Sequence, residues 1–154
     1  MKATAKFKPN IEVVHDPDVL AQRSAEIFVA DARKAIGAKS VFRVAVSGGH
    51  TPEDFFKLLG EMPQANSLPW DNIHLFWVDE RCVPPDSQHS NYRLAADTFL
   101  PKIDIPPENV HRISGENVDC KLAANVYEVA LREVFHLKKN QLQLVRWKCW
   151  SQQR

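Results

Sequence analysis

Val41-Phe42-Arg43-Val44-Ala45-Val46-Ser47-Gly48-Gly49-His50-Thr51-Pro52-Glu53-Asp54 is the stretch from which the fold can be read. Five of its first six residues are apolar and three are β-branched valines, the pattern of a short buried strand. Ser47-Gly48-Gly49 then makes a tight turn, and a helix opens behind it. Thr51 can cap backbone N–H groups, Pro52 costs nothing where its missing N–H has no partner, and Glu53 and Asp54 meet the positive end of the helix dipole. Phe55, Phe56, Leu58 and Leu59 give this helix its packing residues, and Gly60 is its expected end.

The same alternation recurs on both sides. Upstream, residues 11–14 read as a short strand and Asp16-Pro17-Asp18 as a helix start. Leu20, Ile27, Phe28, Ala32, Ala35 and Ile36 then recur near the helical period, and Gly37 is placed to end the helix. Downstream, residues 73–78 form a strongly apolar strand that runs into Asp79-Glu80-Arg81. Val83-Pro84-Pro85-Asp86 must be a loop, and a helix with Leu94, Ala95, Phe99 and Leu100 can start at Ser90-Asn91-Tyr92. After Pro101, Pro106 and Pro107, residues 110–113 form a further strand candidate, and Asp119 caps a helix carrying Leu122, Val126, Val129, Ala130 and Val134. Strands alternating with helices at this spacing imply one α/β domain: a doubly wound, mostly parallel sheet with helices on both faces. Ligands bind such sheets beyond the carboxyl ends of the strands. Residues 47–51 and 79–81 stand at two of those ends.

Composition narrows the functional classes. The 154 residues are 44% hydrophobic and 25% charged, which excludes disordered, collagen-like and coiled-coil chains. Twenty Lys and Arg against nineteen Asp and Glu leave a formal charge of +1, so there is no basic field for nucleic acid. No window approaches the roughly 18 apolar residues that span a bilayer, and positive charge at the start has no apolar run behind it, so neither a membrane span nor a secretory signal is expected. Cys82, Cys120 and Cys149 have neither metal-ligand spacing nor the even count of a disulfide framework, which makes a reduced, cytoplasmic compartment the expectation. The six His form no metal pattern.

A strand, a glycine pair, hydroxyls and a helix start together make an anion site: backbone N–H groups approach the anion, Ser47 and Thr51 add donors, and the helix end adds partial positive charge. The turn is neither a Walker loop nor Gly-x-Gly-x-x-Gly, which disfavours a nucleotide. The same residues also describe a plain strand-to-helix turn. Asp79-Glu80-Arg81 has two readings as well: a solvated strand end in which Arg81 pairs with a neighbouring acid, or half of a clamp in which its guanidinium grips a phosphate or carboxylate. His50 is read as a contact or spacer, and Cys82 as packing under the loop.

Val46-Ser47-Gly48-Gly49-His50-Thr51-Pro52, Phe76-Trp77-Val78-Asp79-Glu80-Arg81-Cys82-Val83-Pro84, Ser90-Asn91-Tyr92 and Asn109-Val110-His111-Arg112-Ile113 resemble, in that order, the successive motifs of the 6-phosphogluconolactonase family. The resemblance covers residues from about 11 to about 135. Glucosamine-6-phosphate deaminases share the glycine turn and the fold, but the run from Trp77 to Pro84 favours the lactonase. The resemblance implies a doubly wound α/β fold, hydrolysis of 6-phosphoglucono-δ-lactone to 6-phosphogluconate in the pentose phosphate pathway, and no metal or cofactor. It implies that Ser47, Gly48, Gly49 and Thr51 contact the sugar phosphate, that Arg81 anchors substrate, and that Asp79 is a supporting acid near the reacting centre. His50 stands where a small hydroxyl residue is more usual.

Family members continue with a strand, a glycine-rich turn and an Asp-Gly-His-Thr-Ala-Ser-Leu-Phe-Pro type motif whose His is regarded as the general base. This sequence has no such motif, and residues 141–154 hold two of its four Trp and one of its three Cys. A shifted frame or alternative splice end is the reading of that tail, with a sheet incomplete on its C-terminal side. The expectation is a lactonase-type hydrolase of weak or no activity. The alternatives are a non-catalytic sugar-phosphate binder or partner subunit, and a chain that associates with a homologue or itself through an exposed sheet edge.

Overall fold

The computed structural model describes residues 11–137. Asp16 caps the first helix by accepting the N–H of Asp18 at 2.7 Å, and α1 spans Pro17–Lys39. There follow β1 (Phe42–Val46), α2 (Thr51–Glu61), the short α3 (Pro63–Asn66), β2 (Ile73–Trp77), α4 (Asn91–Thr98), β3 (Val110–His111) and α5 (Cys120–Val134). The strands are parallel in the order β1-β2-β3, with Val46 level with Trp77 and Phe76 level with His111. β1 and β2 therefore end together, and their two following loops leave the same edge.

Helices cover both faces. On one, Phe28 of α1 packs edge-on against Phe42 at 5.5 Å between ring centroids and near Phe55 of α2 at 6.1 Å. Phe56 meets Phe99 at 5.0 Å, and Trp77 meets Tyr92 of α4 at 5.6 Å. Phe56, Leu59, Ile73 and Leu75 are fully shielded from solvent there. On the other face, α5 lies over Phe76, whose ring contacts Tyr127 and Phe135. The Tyr127 hydroxyl accepts the N–H of Trp77 at 2.9 Å and donates to the Trp77 carbonyl at 2.7 Å. That pair of bonds fixes α5 on the strand. Burial pushes the Tyr127 hydroxyl well above the ordinary tyrosine value of 10.0, so it stays a donor. His74 and His111 join β2 to β3 through a 3.0 Å contact between ring nitrogens.

Four sequence expectations are corrected. Residues 11–14 are not a strand: Ile11 and Val13 are 76% exposed, and among the described residues no strand pairs with them. α1 runs past Gly37 and ends at Ser40, which adopts φ 59° and donates to the Ile36 carbonyl at 2.8 Å. α2 likewise runs past Gly60, whose missing side chain makes room for Phe99, since a Cβ would sit 3.0 Å from the Phe99 Cα. β3 holds two residues rather than four. The reading of residues 141–154 lies outside the described residues. Among the described residues no helix is long and apolar enough to cross a membrane.

Replacing Tyr127 with Phe strands a buried N–H and carbonyl on Trp77, at about 1–3 kcal/mol for each group left unpaired. Urea unfolding is expected to show that loss. A change within error would mean that α5 is held by apolar contact alone.

The histidine pair sets a pH dependence. Desolvation lowers both pKa values below the ordinary 6.5, helped by Arg43 at His74 and by His74 at His111. The unfolded chain then binds protons first, so this contribution is complete above about pH 6.5 and is lost as the pH falls below it. Urea midpoints at about pH 7.5 and about pH 5 are expected to differ in that direction. Replacing His111 with Gln should shrink the difference.

Candidate functional site

The site begins at the common edge of β1 and β2, where the Val78 N–H donates to the Val46 carbonyl at 2.9 Å and closes the ladder. From β1 the chain turns through Ser47, Gly48 and Gly49. Gly49 has φ +104°, a left-handed conformation that a side chain strains. Gly48 is a glycine for a different reason: a Cβ there would lie 1.9 Å from the Asn91 Oδ1. His50, not Thr51, is the N-cap of α2, and its side chain makes no capping bond. Thr51 opens the helix itself, which corrects its expected capping role. By contrast α1, α4 and α5 are capped by Asp16, Ser90 and Asp119. Ser47, Gly49, His50 and Thr51 are exposed, at the end of a groove of about 630 Å³ between α1, β1 and α2.

From β2 the chain leaves through Asp79, Glu80 and Arg81. Arg81 and Asp79 form an ion pair of 3.8 Å, with side chains 43% and 50% exposed. Glu80 turns the other way. Its Oε1 accepts the N–H groups of Arg81 and Asn91, each at 2.7 Å, and its Oε2 accepts the Tyr92 N–H at 2.9 Å and the Ser90 hydroxyl at 3.1 Å. The Asn91 side chain, 3% exposed, donates from Nδ2 to the Asp79 carbonyl at 2.9 Å. Arg112, in the neighbouring loop, is committed to Glu116 at 2.6 and 2.9 Å, which holds that carboxyl down at about 2.

The structure thus brings Ser47, Gly48, Gly49 and Thr51 to the same edge as Asp79 and Arg81, although the turn and Arg81 line different cavities. Arg81 borders a cleft of about 30 Å³ against Gly115 and Cys120. Gly115 lies so close to the Arg81 loop that a Cβ would come within 2.2 Å of the Arg81 carbonyl. Cys82 is exposed rather than packed under the loop as expected, with its sulfur 3.0 Å from that of Cys120. No group of three or more His, Cys, Asp or Glu able to hold a metal occurs among the described residues.

Residues 15–146 match the sequence profile described as Glucosamine-6-phosphate isomerases/6-phosphogluconolactonase. The chain belongs to that family. It is similar to a 6-phosphogluconolactonase of Nostoc, with 36% identity over 130 residues, 84% of this chain and 52% of the relative. It is also similar to 6-phosphogluconolactonase 3, chloroplastic, of Arabidopsis thaliana, 43% identical over 70% of this chain and 33% of that one. Among solved structures, a 6-phosphogluconolactonase from Thermotoga maritima superposes with TM-score 0.69 at 29% identity, covering 79% of this chain and 52% of the other. The chain spans about half the length, or less, of these relatives. Within this family the fold is the open parallel α/β sheet read from the sequence.

Sequence reasoning missed the part of Glu80 and Asn91. Glu80 was one of the acids available to Arg81, but Asp79 takes that place. No local pattern links Glu80 to a helix start ten residues on, since the link exists only once the loop has folded back.

Gly49→Ala tests the turn directly. The left-handed conformation is expected to cost about 1–3 kcal/mol in a residue with a side chain, read as a lower urea midpoint. An unchanged midpoint would mean that the turn relaxes to negative φ without loss.

Proposed function

We propose that this chain carries the sugar-phosphate site of a 6-phosphogluconolactonase, with 6-phosphoglucono-δ-lactone as substrate and hydrolysis of its ring ester as the reaction. The observation that supports the reading most is the convergence, at one sheet edge, of a glycine turn leading into an uncapped helix and an exposed Asp79–Arg81 pair. Ser47, Gly48, Gly49 and Thr51 offer the phosphate backbone N–H groups, two hydroxyls and the positive end of α2. Arg81 anchors a second polar part of the substrate. Asp79 orients the guanidinium and serves as the supporting acid of the reaction. Relatives named 6-phosphogluconolactonase support the choice of substrate. Nucleic acid and membrane have no part in this reading.

A non-catalytic sugar-phosphate binder built on the same turn is the second reading. Asp79 is already committed to Arg81, and a positioned general base is worth about 10²–10⁴-fold in rate. Calorimetry with 6-phosphogluconate and a lactone assay against a no-protein blank, on the same sample, separate the two. Binding with hydrolysis above the blank supports the lactonase; binding at the blank rate supports the binder. No binding at all removes both. In either case Arg81→Lys should weaken 6-phosphogluconate binding about 5- to 150-fold, the equivalent of about 1–3 kcal/mol, because the planar fork is lost while the charge is kept.

A further inference from the structure

We infer that Asn91 is a positioning residue for the anion-binding turn, holding residues 47–51 in shape against the end of β2. The inference rests on the reading of that turn as a sugar-phosphate site and extends it to a residue that touches no substrate. Asn91 is the first residue of α4 and one of four polar residues buried among those described. A buried amide requires partners, and its donor end has one. The Nδ2 donates to the Asp79 carbonyl at 2.9 Å, which ties it to the strand end that carries Arg81. Its amide head fills the space beside Gly48: a Cβ built on Gly48 would meet Oδ1 at 1.9 Å, Cγ at 2.1 Å and Cβ at 2.6 Å.

A single amide therefore touches both loops of the site. The Asn91 backbone is fixed in turn, because its N–H donates to the Glu80 Oε1 at 2.7 Å. Glu80 also holds the N–H of Arg81 at 2.7 Å, so one carboxylate sets the start of α4 and the backbone of the cation loop. The chain of contacts runs from Glu80 to Asn91 to Gly48. Backbone donors can grip an anion only when held within tenths of an ångström of the binding geometry. The turn is exposed on its solvent side, and Asn91 supplies its support from within.

The test uses the full chain and three variants. Asn91→Ala removes the amide, while Asn91→Asp keeps its size and loses the Nδ2 donor. Asn109→Asp is the control: Asn109 is also buried and donates to the Asp71 carbonyl at 2.9 Å, but it lies beside the start of β2, away from the turn. Affinity is measured for inorganic phosphate and for 6-phosphogluconate, and ¹⁵N relaxation is measured at the amides of Gly48 and Gly49. Both Asn91 variants are expected to bind the two anions at least tenfold more weakly than the Asn109 variant does. The Gly48 and Gly49 order parameters should fall toward the flexible range, below about 0.6, in the Asn91 variants only. Equal affinities and equal order parameters across the variants would overturn the inference. If the unsubstituted chain binds neither anion, the proposed function falls instead, and relaxation alone decides the role of Asn91. Should Asn91→Ala fail to fold, Asn91→Asp carries the comparison.

Discussion

The Glu80 carboxylate is the group on which the arrangement of the site depends. It accepts four hydrogen bonds, three of them from backbone N–H groups. Two of those N–H groups, on Asn91 and Tyr92, belong to the first turn of α4, where no intrahelical acceptor exists. A carboxylate there also meets the positive end of the helix dipole, and charge-assisted bonds are about twice as strong as neutral ones. The loop that leaves β2 is thus closed by one side chain at its root. That closure acts together with the Asn91 bond to the Asp79 carbonyl and the packing of Tyr92 on Trp77, which hold α4 against the same sheet edge.

The core does a separate task. Phe56, Ile73, Leu75 and Trp77 are almost wholly removed from water on the face covered by α1, α2 and α4, and Tyr127 pins α5 to the opposite face. Both layers act on the strands, and the strands in turn fix only where the two loops begin. The parallel register of Val46 with Trp77 makes the starting points coincide. Polar contacts then set where the loops go. Apolar burial is non-directional and could not have chosen between loop geometries.

This division explains what the sequence made legible. The parallel α/β sheet followed from the two apolar runs and the helix starts around them, and α5 began at Asp119 as its side chain required. The edge itself followed from strand direction, and with it the juxtaposition of Ser47, Gly48, Gly49 and Thr51 with Asp79 and Arg81. The reasons for individual glycines did not follow. Gly37 and Gly60 look alike as helix ends, yet both lie inside helices, since a glycine weakens a helix by only about 1 kcal/mol and packing such as that of Phe99 on Gly60 outweighs it. Residues 11–14 have the apolar character of a strand, but a strand also needs a neighbour, which no local pattern reports. Glu80 and Asn91 were hidden for the same reason: their partners lie ten or more residues away along the chain.

The adjacent glycines of the turn show how far local and tertiary demands can be told apart. Gly49 answers a local demand, since its φ of +104° would be strained in any surroundings. Gly48 answers a tertiary one: its own conformation does not call for glycine, and the space is taken by Asn91. The pair therefore joins a backbone that can turn with a backbone that can be leaned upon. An uncapped α2 follows directly, because the chain arrives at His50 already in helical conformation, with φ −70° and ψ −37°, rather than in the extended geometry of the capping residues Asp16, Ser90 and Asp119. Among the four longer helices α1, α2, α4 and α5, the start without a side-chain cap is the one at the shared sheet edge, and the turn before it is the one braced from behind by a buried amide.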